Sequence, residues 1–196
     1  MNSPLTKEDI DLINMLKLLE ETFTGKNTKK IEEAKNKLEQ FEIKYRVSLL
    51  LRALSIDSIH NSKISDNLHS SVVVCLKNVL YKKNEFFSPE EIILYVNKLL
   101  EILLTKSKIN TNLNKASILN MIQNIITNLI STKKMIQNKN FITQLFEIIF
   151  NSLKNETKEN FLQTGKIVIL LSTAFLSSKS ADTDNYEQLL NKYYIP

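Results

Sequence analysis

The stretch from Asn67 to Lys83, NLHSSVVVCLKNVLYKK, decides the fold. Leu68, Val72, Cys75, Leu76, Val79 and Leu80 fall at steps of three and four, the period of a helix buried along one face. Asp66 or Ser65 is placed to cap its start, and Lys82 and Lys83 suit the negative end of its dipole. The apolar stripe is wide and rich in β-branched residues, so the helix should pack on both sides. Such a helix needs neighbours, and the sequence supplies them before and after it.

Upstream, Thr6 with Asp9 has the form of a capping box, and Leu12, Met15, Leu16, Leu19 and Phe23 make a stripe that Gly25 ends. Thr28 is the expected cap of a short second helix with Ile31, Ala34, Leu38 and Phe41 on one face and Lys and Glu on the other. A third helix starts near Ile43, with Val47, Leu50, Leu51 and Leu54 as its stripe, and ends in the polar break Asp57, Ser58, Asn61 and Ser62.

Downstream, Ser88-Pro89-Glu90-Glu91 is a strong helix start, followed by Ile92, Ile93, Val96, Leu99, Leu100, Leu103 and Leu104. After a linker at 106–111, Ile118, Ile122, Ile125, Ile126, Leu129 and Ile130 mark a sixth helix. Phe141 to Leu153 reads as a seventh, Phe161 to Leu176 as an eighth, and Tyr186 to Tyr194 as the start of a last one.

The chain therefore reads as four helical pairs and a terminal helix. Pairs start near residues 6, 43, 89 and 139, a spacing of roughly 37 to 50 residues that matches HEAT or armadillo repeats. The expected fold is an all-α solenoid forming a single domain over residues 1–196, with no β-sheet; a compact bundle of eight helices is the alternative. Composition agrees. Only 2 Gly and 3 Pro are present, too few for the tight turns of an all-β fold. At 196 residues the chain can bury a substantial core.

The net charge of +5 and pI of about 9.1 permit an acidic partner without identifying one. Only Arg46 and Arg52 are arginine, which argues against a nucleic-acid reader, because such proteins use arginine for bidentate contacts. The single cysteine, Cys75, excludes an internal disulfide and fits a reducing compartment. The N-terminal MNSPLTKEDIDLIN lacks the apolar run of a signal peptide, and no apolar stretch is long enough to span a bilayer, so no membrane insertion is expected.

Catalytic chemistry has little to stand on. Gly25 and Gly165 stand alone, so no phosphate loop is present. His60 and His69 have no Cys or carboxylate at a ligand-like spacing, and His69 is expected at the surface or at a repeat interface. Cys75 is expected in the core, without a basic partner to activate it. Glu32-Glu33 and Glu90-Glu91 are adjacent on helices and point in different directions. A non-enzyme without cofactor or metal is the expectation.

The order of features resembles the N-terminal domain of importin-β-type karyopherins, the nuclear transport receptors. Ala34 and Leu38, in IEEAKNKLEQFE, occupy the place of that family's Ala-x-x-x-Leu signature. Leu76, Lys77, Asn78 and Val79 match its Leu-Lys-Asn-aliphatic motif, and Ser88 to Leu104 matches the next repeat's start. The likeness covers roughly residues 10–130. His69, Ser71 and Val72 stand where the family usually has Arg and Ala, and its tryptophan is missing.

The resemblance implies the N-terminal part of a longer superhelix, found in cytoplasm and nucleus, that binds a Ran-type small GTPase, cargo proteins and nucleoporins. In the family, the second helices of the first repeats bind GTP-bound Ran. Carried over, that surface comprises Lys30, Glu33 and Lys37 on one helix and Lys77 and Asn78 on another. A generic HEAT scaffold for some other protein is the competing reading.

Overall fold

The computed structural model describes residues 4–59, 62–107 and 113–130, with single positions at 140, 143, 144 and 147. The eighth and last helices expected from the sequence lie outside the described residues, as do His60 and Gly165; of the expected seventh only residues 143, 144 and 147 are described, and all three are helical. Helix accounts for 83% of the described residues, so the protein is mostly helical.

The first helix, α1 (Lys7–Thr24), opens with the expected capping box. Thr6 accepts from the Asp9 N–H at 3.1 Å, and the Thr6 N–H donates to Asp9 Oδ2 at 3.0 Å. Leu12, Met15, Leu16 and Leu19 are buried, but Phe23 stays 45% exposed. Gly25 caps α1 in extended, not left-handed, backbone. Glycine is needed there for space: a Cβ would collide with the Glu21 carbonyl oxygen and press on Ile31.

Helix α2 (Thr28–Glu39) is capped by Asn27, one residue before the expected Thr28. Asn27 Oδ1 accepts from the Lys30 N–H at 3.2 Å, which Asn does better than Thr. The helix buries only Ala34 and Leu38. Helix α3 (Ile43–Ser55) is the opposite case. It buries the expected Val47, Leu50, Leu51 and Leu54, and Leu49 and Ala53 as well.

Between α3 and the next helix the chain forms a small antiparallel ladder, β1 (Ser58–Ile59) with β2 (Ser62–Lys63), where no strand was expected. The segment is polar and lacks the apolar period of a helix. The ladder pairs its backbone groups instead, and the Ile64 N–H closes the loop on Asp57 O at 2.9 Å. Ile64 is buried beneath it.

Helix α4 (Asp66–Lys82) is the stretch quoted at the outset, with Ser65 as its cap. Its buried face is Val72, Val73, Leu76, Val79 and Leu80, joined by His69 and Ser71. The buried stripe is thus rotated from the expected one, toward His69 and Val73 and away from Leu68 and Cys75, which are half-buried. The rotation follows from its neighbours: α4 packs on α3 and on α1. A 3-10 turn (Asn84–Phe86) follows it, with Phe87 buried.

Helix α5 (Pro89–Ser107) starts as expected, Ser88 N–H donating to Glu91 Oε2 at 2.8 Å and the Glu91 N–H to Ser88 Oγ at 3.3 Å. Ile92, Val96, Leu99, Leu100 and Leu103 are buried, with Tyr95 and Ile102 beside them. Helix α6 (Leu113–Ile130) buries all six of its expected stripe residues and Leu119.

The chain divides into two compact units, residues 1–87 with 112–121, and residues 88–111 with 122–196. In the first, α1 packs on α2, and α3 packs on α4, so the first two expected pairs form. Helix α1 also packs on both α3 and α4, whereas no comparable packing joins α2 to α4. The second unit is described by α5 and the 122–130 part of α6, each with a continuous apolar face.

Candidate protein-binding surface

Lys30, Glu33 and Lys37 are all exposed on α2, and Lys77 and Asn78 are exposed on α4. The two groups sit on helices that both pack on α1. The described structure therefore holds two polar helix faces, one per group.

The α4 face is richer than the sequence pattern indicated. Lys77 Nζ lies over the Tyr81 ring at 5.7 Å, and Lys83 Nζ lies over the Phe86 ring at 5.6 Å. Phe86 is 52% exposed. Lys82 is exposed between the two pairs, and Glu85 is exposed nearby. Burial pushes the Tyr81 hydroxyl pKa up. The Lys77–Tyr81 spacing of four residues was the available signal; Lys83 and Phe86 meet only because the helix ends between them.

A second polar cluster joins α1 to α3. Arg52 pairs with Asp9 and with Glu8, the latter at 3.2 Å, and the Tyr45 hydroxyl donates to Asp11 Oδ2 at 2.9 Å. The Thr6 hydrogen bonds, with Arg52 beside them, hold the Asp9 carboxyl well below the usual carboxylate range. Asp9 in turn holds the Arg52 proton more tightly, and Asp11 raises the Tyr45 hydroxyl. Every member has an internal partner, which is the signature of a structural clamp.

Arg46 donates to Leu38 O at 2.9 Å, tying α3 to the end of α2. Both arginines of the chain are thus engaged internally. Burial pushes the Cys75 thiol up, with Arg46 opposing it weakly, so the sulfur is a poor nucleophile at neutral pH. His69, expected at the surface or an interface, is buried, its Nε2 3.0 Å from Ile56 O. It ties α4 to the end of α3. Packing of α4 on two neighbours makes this position interior, which a single stripe could not indicate. Among the described residues no group of His, Cys, Asp or Glu is placed to hold a metal ion, and no helix is long and apolar enough to cross a membrane.

Comparison with protein-family models, with curated proteins and with solved structures finds no match to this chain.

Proposed function

We propose that this chain is a non-catalytic helical module that binds a partner protein through the exposed faces of α2 and α4. The carrying observation is the division of labour on α4. Its apolar side is committed to α1 and α3, while Lys77, Asn78, Tyr81 and Lys82 form an outward side of lysines and a ring. The internal polar groups support the same reading. His69, Arg46 and Arg52 bond backbone or neighbouring carboxylates and hold helices together.

The finer form of this reading comes from the motif resemblance. In it the helical pairs continue as a solenoid, the module belongs to a transport receptor moving cargo between cytoplasm and nucleus, and the partner is a Ran-type GTPase in its GTP form. Exposure of Lys30, Glu33, Lys37, Lys77 and Asn78 supports it. A generic helical scaffold with another protein partner is favoured by a different observation: α1, not α2, packs on α4. Calorimetric titration with GTP-loaded and GDP-loaded Ran-type GTPase separates the two. The receptor reading expects GTP-selective binding weakened by Lys37→Glu and by Lys77→Glu. Equal affinity for both nucleotide states, or no binding at high micromolar concentration, leaves the generic scaffold.

A further inference from the structure

The end of α4 and the turn after it hold a distinctive combination: three lysines and two aromatic rings within ten residues of sequence, 77–86. We infer that Lys77, Tyr81, Lys82, Lys83 and Phe86 form a docking site for an acidic peptide segment that also carries an apolar side chain. The inference rests on the reading of the chain as a protein-binding module and names the chemistry of the partner.

The physical case has three parts. The lysines present positive charge, and each ring lies beneath a lysine ammonium, 5.7 Å away for Tyr81 and 5.6 Å for Phe86. That arrangement sets an apolar surface directly beside a cation, and an acidic segment with a Leu or Phe satisfies both at once. Phosphate polymers fit less well. Nucleic-acid recognition draws on arginine forks, and both arginines of this chain are bonded internally, Arg46 to Leu38 O and Arg52 to Asp9 and Glu8. A bilayer surface fits less well too, because the apolar face α4 would insert is buried against α1 and α3. Exposed Glu85 adds one negative charge within the cluster, so the attraction comes from the lysines around it and not from an unbroken basic field.

The test uses the full chain and three fluorescein-labelled probes: a ten-residue Glu-rich peptide with one central Leu and one Phe, the same peptide with Ser for both apolar residues, and a single-stranded oligonucleotide of equal charge. The expected result is saturable anisotropy with the first peptide. Affinity should fall several-fold with the second, and about tenfold when NaCl rises from 50 to 500 mM. Lys77→Gln with Lys83→Gln should weaken binding about five- to tenfold, and Phe86→Ser about threefold. Lys7→Gln, on the first turn of α1, should leave it unchanged. Phe86 is half-exposed, so Phe86→Ser keeps the test valid if the double variant fails to fold. Tighter binding of the oligonucleotide than of the acidic peptide, or full affinity in the folded Phe86→Ser and double variants, overturns the inference. GTP-selective GTPase binding by the unaltered chain while peptide binding never appears would overturn this inference alone.

Discussion

Helices α2 and α4 carry the two halves of the candidate surface, yet they are held in the molecule very differently. Helix α4 sinks seven residues, from His69 to Leu80, and is gripped by α1 and α3. Helix α2 sinks two, Ala34 and Leu38, and packs on α1. Its remaining ties are small: the Asn27 cap, and the Arg46 guanidinium on Leu38 O. A twelve-residue helix is marginal alone in water, so α2 depends on its packing against α1. The lesson is that similar exposure of Lys37 and Lys77 conceals different mechanics. A partner meeting α4 finds a fixed platform; one meeting α2 finds a helix held along one edge.

The largest expected effect lies on α4. Leu76 is fully buried on a helix that packs on two others, and Leu76→Ala should cost about 2–5 kcal/mol in chemical denaturation, toward the upper end. Leu38→Ala should sit at the lower end, about 2 kcal/mol, because α2 can settle onto α1. Equal losses would erase the contrast. Next comes the joint between α1 and α2. Gly25→Ala should cost about 1–3 kcal/mol, since the added Cβ meets the Glu21 backbone oxygen, which has little room to yield. A melting temperature unchanged by this substitution would mean that the joint relaxes freely. A smaller effect is expected at the cap, where Asn27→Ala should cost about 1 kcal/mol.

The α1–α3 clamp gives a pH prediction that sharpens the same contrast. Asp9 has a folded pKa depressed below its unfolded value of about 4. The stability it contributes is present above that unfolded value and disappears as pH falls through the lower folded one. Thermal melts between pH 5 and pH 2 should therefore show a falling midpoint, and Asp9→Asn should flatten the fall while lowering the midpoint at neutral pH. A parallel acid limb in the variant would remove Asp9 from the account.

Much of this was legible in the sequence. The starts of α1, α4 and α5 follow from Thr6, Ser65 and Ser88, because capping is a local event written in a few residues. The buried stripes of α3 and α6 follow from periodicity. What periodicity could not supply was the number of neighbours. His69 and Val73 are interior only because α4 has two, and Cys75 is half-buried for the same reason. Phe23 lies on the α1 stripe but stays exposed at the end of the helix. The short ladder at Ser58–Lys63 arises from pairing across a polar break that has no strand signature of its own. At the surface, the exposed lysines were readable, whereas the Lys83–Phe86 pairing depends on how the chain leaves α4.

The claim that the fold is organised around α4 is tested most directly by native-state amide hydrogen exchange. The account predicts that amides from Val72 to Leu80 exchange only through global unfolding. Those from Ile31 to Glu39 should open in a separate step at least about 2 kcal/mol lower in free energy. Equal protection of the two helices, or α4 opening before α2, would contradict it.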